Sequence, residues 1–198
     1  MFLIFIIMII IDGFVRDELL LRRIQQSKDF WNLGYYWWNG WWNTPASTLR
    51  HELIEYIWKN HCPLFEPMSL NGFEHWVGIQ QENDTVKNNV GEWSLITHFD
   101  KDEGLWEKTG QIVTPKLGSI FYPDPCNDKI EGGYLKIWKT HDLNFDASFE
   151  LIEPKFNRLI IFDAGQLHAV TPVTKGTRKA IAINLWDNAP SDADNMKF

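Results

Sequence analysis

The chain has 198 residues, a net charge of −7, two cysteines and 11 tryptophans. That length suffices for one domain with a sizeable core, and the acidic balance argues against a partner held through its phosphate backbone, so nucleic acid is not the expected ligand. Cys62 and Cys126 have neither metal-type spacing nor the pattern of a disulfide framework, which points to a reducing, cytoplasmic setting, and no linker-like break divides residues 1–198, expected to form a single domain.

The apolar opening, Met1 to Ile11, is too short to span a bilayer and has no basic residue ahead of it, so an early strand and no membrane association are expected. Asp12-Gly13-Phe14 turns the chain, after which Val15, Leu19, Leu20 and Ile24 keep helical spacing through Ser27. From 29 to 45, aromatic pairs flank Asn39-Gly40, a hairpin-like signal; the tryptophans here, Trp31, Trp37, Trp38, Trp41 and Trp42, suit either a cleft wall or a core. Ser47 or Thr48 can cap a second helix with the stripe Leu49, Leu53, Tyr56 and Ile57, on which His51 reads as a surface residue. The helical part thus covers about 12–60.

Pro63 to Asn71 reads as a loop and Glu82 to Asn89 as a polar turn. Between and beyond them lie strand-like runs at Glu74–Gln81, Glu92–Asp100, Gln111–Val113, Gly118–Tyr122, Tyr134–Trp138, Arg158–Phe162 and Ala180–Trp186. The expected class is mainly β with N-terminal helices (α+β), the β core an antiparallel sandwich or barrel-like double sheet over about 74–188.

Three places carry chemistry. The strand ending His98-Phe99-Asp100 projects His98 and Asp100 from one face, and an imidazole and a carboxylate joined by a second imidazole form a facial triad suited to divalent iron. One such triplet also arises by chance. His168 stands between two apolar strands, Arg158–Phe162 and Ala180–Trp186, which are read as a pair, so that His168 and Arg178 fall on neighbouring strands. Alternation then puts Arg178, Ala180, Ala182 and Asn184 on one face, a roomy setting in which a guanidinium can meet a carboxylate through two parallel bonds. An arginine reaching solvent at a strand end is the plainer reading of Arg178, and Lys175, Arg178 and Lys179 could also form a basic patch. His141-Asp142 faces two ways and reads as a turn; His61 and His75 have no evident partner.

Assembled, these pieces resemble the iron(II) and 2-oxoglutarate-dependent dioxygenases, particularly the prolyl 4-hydroxylase-like group, over most of the chain. His98-Phe99-Asp100 is similar to the family's His-x-Asp, His168 to its distal histidine, and Arg178, ten residues on, to its binder of the far carboxylate of 2-oxoglutarate. Tyr122 falls where many members place a tyrosine on that carboxylate. Gly132-Gly133-Tyr134-Leu135 resembles a Gly-Gly-Glu-Leu strand with tyrosine for glutamate, Asn157 to Phe162 the stretch before the distal histidine, and Ile11-Asp12-Gly13-Phe14 the usual first turn.

The resemblance implies a double-stranded β-helix, a cupin-like jelly roll, holding Fe(II) on His98, Asp100 and His168. It further implies 2-oxoglutarate and dioxygen as co-substrates, ascorbate as a further cofactor, and hydroxylation of an unactivated C–H bond with release of succinate and carbon dioxide. A peptidyl proline is the leading substrate expectation, with a free amino acid or other small molecule as the alternative. Asn184 stands where the family's nucleic-acid demethylases carry a second arginine, in keeping with the acidic charge. A metal-binding jelly roll without turnover is the competing class, and its mark would be a damaged triad or a lost carboxylate anchor.

Overall fold

The computed structural model describes residues 8–59 and 70–196. After β1 (Ile9–Asp12), Asp17 caps α1 (Glu18–Gln26) by accepting hydrogen bonds from the Leu19 and Leu20 amides. The helix buries Leu20, Leu21 and Ile24, whereas Leu19, expected in the apolar stripe, is exposed. A 3-10 turn over Asp29–Trp31 leads to β2 (Tyr36–Trp38), and Thr48 caps α2 (Leu49–Ile54), which continues as a π-helical turn over Glu55–Lys59. The expected loop at Pro63 to Asn71 and the start of the apolar opening lie mostly outside the described residues.

The β region runs through β3 (Gly72–Gln81), β4 (Val86–Asn88), β5 (Gly91–Trp93) and β6 (Leu95–His98), then α3 (Glu103–Thr109). It continues with β7 (Leu117–Phe121), β8 (Glu131–Gly132), β9 (Leu135–Trp138), β10 (Phe149–Ile152), β11 (Arg158–Phe162), β12 (His168–Val170), β13 (Val173–Lys175) and β14 (Thr177–Trp186). A six-stranded sheet in the order β1-β11-β7-β14-β3-β2 faces a four-stranded sheet in the order β10-β9-β12-β6. Ile120, Ile160, Phe162 and Ala180 from the first pack with Leu135, Ile137 and Ile152 from the second, closing the jelly roll. The helices cover the outer face of the larger sheet, where Ile24, Leu53, Ile57 and Trp58 meet Phe73, Ile181 and Ile183.

Several expectations change. The strand read from Glu92 to Asp100 breaks at Ser94, whose amide donates to the Val170 carbonyl (2.9 Å) and whose hydroxyl accepts from the Val173 amide (3.0 Å). Residues 111–113 form no strand; Val113 only takes the Asp102 amide at 2.8 Å, and Asp102 caps α3 with Gly110 at φ 73° closing it. Arg158–Phe162 and Ala180–Trp186 are not a pair, because β7 lies between β11 and β14. His168 and Arg178 consequently sit on opposing sheets rather than neighbouring strands. Lys175 pairs with Glu131 and Lys179 with Asp124 while Arg178 is buried, so no basic patch forms.

Around Asn39-Gly40 there is a turn but no hairpin: β2 pairs with β3, and Trp42 folds back so tightly that a Cβ on Gly40 would lie 2.5 Å from its ring. The tryptophans are core. Trp38, Trp41 and Trp42 surround the fully buried Phe73 at centroid distances of 5.8, 5.6 and 5.7 Å, and Trp37 packs beside Trp186. Phe73→Ala would empty the centre of that aromatic cluster, and a loss of about 3–5 kcal/mol of unfolding free energy is expected in urea denaturation. No helix among the described residues is long and apolar enough to cross a membrane.

Candidate metal centre

Register between strands builds the site. His98 at the end of β6 is the cross-strand partner of His168 on β12, and the chain beyond β6 brings Asp100 against both. Their ring centroids are 4.3 Å apart, Asp100 Oδ1 lies 3.5 Å from His98 Nε2 and 3.7 Å from His168 Nε2, and one ligand atom from each residue falls within 4.8 Å of the others. His98 Nδ1 lies 2.7 Å from the Ile96 carbonyl and His168 Nδ1 2.8 Å from the Gln166 carbonyl. A carbonyl can only accept, so both Nδ1 atoms carry a proton, and each ring when neutral turns its Nε2 lone pair toward Asp100. Such a donor set can hold a divalent cation.

The electrostatics match. Burial raises the Asp100 carboxyl, but the His168 and His98 charges and hydrogen bonds from His98 and Asn184 outweigh it and hold the group below the usual carboxylate range. His168 is pushed down to about 4 by burial and by the His98 charge, leaving it neutral. Burial lowers His98 too, yet the Asp100 hydrogen bond and charge, with the Ile96 carbonyl, raise it above the ordinary imidazole value.

The opposite wall is β14. Arg178, Ala180, Ala182 and Asn184 all line a cavity of about 250 Å³ together with His98, Asp100 and His168, as the alternation predicts. Arg178 is 2% exposed; it donates from Nη1 to Gln80 Oε1 at 2.7 Å and from Nη2 to the Tyr122 hydroxyl at 2.9 Å, and its Nε has no partner. No acid among the described residues pairs with it, so a buried cation with a spare donor stands on the cavity wall. Ala180, its cross-strand partner Gly78, and Ala182 put small side chains on this wall and leave room.

Of the residues singled out from the sequence, His98, Asp100, His168 and Arg178 line this cavity, and Tyr122, which is not on its lining, joins them through its hydrogen bond with Arg178. Three others escaped notice in the sequence. Gln80 is the cross-strand partner of Arg178, Glu74 that of Asn184, and Trp76 lies between them on the same face of β3. Glu74 accepts from Trp186 Nε1 (3.1 Å) and Asn184 Nδ2 (3.4 Å), and burial, then the Asp100 charge, push it up to about 7. The strand alternation Glu74, Trp76, Gly78, Gln80 was a usable signal, but only once β3 is known to border β14. Tyr134, the departure from Gly-Gly-Glu-Leu, is exposed and does not line the cavity. Gly132 before it is obligatory, since a Cβ there would lie 2.1 Å from the Pro172 carbonyl oxygen. Cys126 is a half-buried free thiol pushed up to about 12 by burial, and is inert.

Residues 88–186, half of the chain and the part that carries all five, match the model of the 2OG-Fe(II) oxygenase superfamily. Among solved structures, the fold is similar to a Pseudomonas putida prolyl-4-hydroxylase, with TM-score 0.53 and 15% identity over 92% of this chain and 88% of that one. It is also similar to a viral collagen prolyl hydroxylase from Paramecium Bursaria Chlorella virus-1 in complex with 2OG, with TM-score 0.51 and 16% identity over 90% of this chain and 94% of that one. At such identities the likeness is one of fold. No curated protein sequence matches the chain.

Proposed function

The chain belongs to the 2OG-Fe(II) oxygenase superfamily, and from that premise we propose that His98, Asp100 and His168 ligate the iron, that Arg178 with Tyr122 and Gln80 receives the distal carboxylate of 2-oxoglutarate, and that a peptidyl proline is hydroxylated. The observation that carries the co-substrate assignment is the buried, acid-free Arg178 guanidinium with its unfilled Nε, across the cavity from the three converging ligand atoms. A dicarboxylate would suit this arrangement, one carboxylate accepting from the guanidinium and the other end lying at the three ligand residues. Iron(II) bound there would supply the redox chemistry that couples dioxygen to decarboxylation of 2-oxoglutarate and to hydroxylation of a C–H bond.

The chain's own residues do the rest. The Ile96 and Gln166 carbonyls fix both imidazole tautomers before metal arrives, so no proton need leave Nε2 of the neutral His168. Asn184 steadies Asp100. Ala180, Ala182, Ile120 and Leu135 give the span between metal and Arg178 an apolar lining that excludes water from the carbon chain of the oxo-acid. Tyr35 and Trp76, with ring centroids 5.2 Å apart, and Leu33 and Leu95 form an apolar mouth suited to a pyrrolidine ring. Hydroxylation of a free amino acid is the second reading, favoured by Glu74 in the adjoining hollow of about 510 Å³, where a carboxylate could meet an ammonium group.

Anaerobic addition of Fe(II) and 2-oxoglutarate to the metal-free protein is expected to produce a visible metal-to-ligand charge-transfer band, and air, with ascorbate keeping the iron reduced, to convert it to succinate. A folded protein that gives no band would overturn the ligand assignment. Succinate formation stimulated by proline-containing peptides but not by free amino acids would favour the first substrate reading.

A further inference from the structure

The face of the six-stranded sheet turned away from the iron site carries a second cavity, of about 390 Å³, enclosed by β2, β3, α2 and the 3-10 turn at Asp29–Trp31. Strand alternation sets His75 here, back to back with Glu74, which lines the hollow of about 510 Å³ beside the iron site, and Trp76, which lines that hollow and the first cavity. His51, expected at the surface, is also buried here, because its ring stacks on Trp38 at 4.5 Å and its Nδ1 lies 3.3 Å from the Ser47 hydroxyl.

Two polar side chains, Arg50 and His75, have unused capacity in this space, and His51, whose Nδ1 faces Ser47, lines it beside them. Arg50, 4% exposed, donates from Nε and Nη2 to the Phe30 carbonyl at 2.9 and 2.6 Å and from Nη2 to the Asn32 carbonyl, but its Nη1 has no partner. Its guanidinium lies 4.3 Å from the Tyr36 ring, and Tyr36 is the one side chain among the described residues that favours its charge; no carboxylate among them does, and Asp29 stands exposed at the rim. His75, 1% exposed, has no partner at either ring nitrogen and lies edge-on to His51 at 5.7 Å. Burial and the Arg50 charge hold both imidazoles neutral, so each has one N–H to give. Buried polar groups are nearly always paired, and a buried cation without a counter-charge is costly, so the cavity is incomplete as it stands. The positive charge of Arg50 argues against the other use of paired imidazoles, a metal cation.

We propose that this cavity binds a small oxyanion, a carboxylate or a phosphate, through Arg50 Nη1 and the N–H groups of His75 and His51. The Ser47 and Thr48 hydroxyls on the cavity wall suit the remaining oxygens. The site shares no residue with the iron centre and does not depend on its assignment.

The test uses the whole 198-residue chain, metal-free and with ¹⁵N-labelled histidine, titrated separately with inorganic phosphate and with acetate against sodium chloride at matched ionic strength. Saturable shifts of the His75 and His51 ring nitrogens are expected, and whichever anion produces them identifies the class. Arg50→Met should weaken the response by at least about tenfold. Should that variant not fold, since Arg50 also ties down the Phe30 and Asn32 carbonyls, His75→Phe keeps the stacking on Tyr36 and should weaken the response, read at His51, by about tenfold. Shifts that follow ionic strength alone, or an affinity unchanged in a folded variant, would show that the cavity holds water and overturn the proposal.

Discussion

Asp100→Ala is expected to abolish succinate formation and to weaken Fe(II) binding by more than about a hundredfold. Groups that merely orient metal ligands cost 10- to about 100-fold when removed, and on the proposed reading Asp100 would offer its own oxygen, which stands between the two imidazoles, to the metal. The variant also has a signature that needs no metal. Asp100 is what lifts His98 above the ordinary imidazole value against the effect of burial, so His98 should titrate at lower pH in the variant. In the wild type a protonated His98 competes with the cation, and metal affinity should therefore climb as pH rises through the raised pKa. In Asp100→Ala whatever affinity remains should begin to climb at lower pH. Isothermal titration with Fe(II) and histidine NMR read these two effects separately; wild-type turnover in the variant would sink the triad.

Arg178→Met should raise the Michaelis constant for 2-oxoglutarate by roughly 30- to 1,000-fold, the equivalent of about 2–4 kcal/mol for removing one partner of a buried charge pair. The chemical step should change less, because the residue sits on the wall opposite the metal ligands. Stability offers the contrast. The substitution strands Gln80 and the Tyr122 hydroxyl, yet it also removes a buried cation that has no acid beside it, and these effects offset one another. The urea midpoint of the apoprotein should therefore move little while co-substrate affinity collapses. A variant that loses stability and keeps its affinity would make Arg178 a structural residue.

The residues that converge at the candidate site were legible where the signal is local. His98 and Asp100 stand two apart on extended chain, and Arg178, Ala180, Ala182 and Asn184 share a face through simple alternation, so neither inference required knowledge of strand order. Strand order itself was not legible. Nothing in the runs Arg158–Phe162 and Ala180–Trp186 announces that β7 separates them, since all three strands are buried and apolar and any pairing would satisfy their side chains. Gln80 and Glu74 were missed for the same reason, as each acquires its role from the register of β3 against β14. His51 shows a different failure: a polar residue on an amphipathic helix reads as exposed unless the ring that covers it, here Trp38, is known to fold back. By contrast α3 was announced, by the Asp102 cap and Gly110, and went unread beside the His-x-Asp triplet.

That His168 and Arg178 lie on opposite sheets has a mechanical consequence. On the proposed reading, 2-oxoglutarate is anchored at one end to the four-stranded sheet through the metal and at the other to the six-stranded sheet through Arg178. It is then a strut across the sandwich as well as a reactant. Decarboxylation would leave succinate, still a dicarboxylate, in its place, so the two walls are braced together until the product departs and are released by its departure.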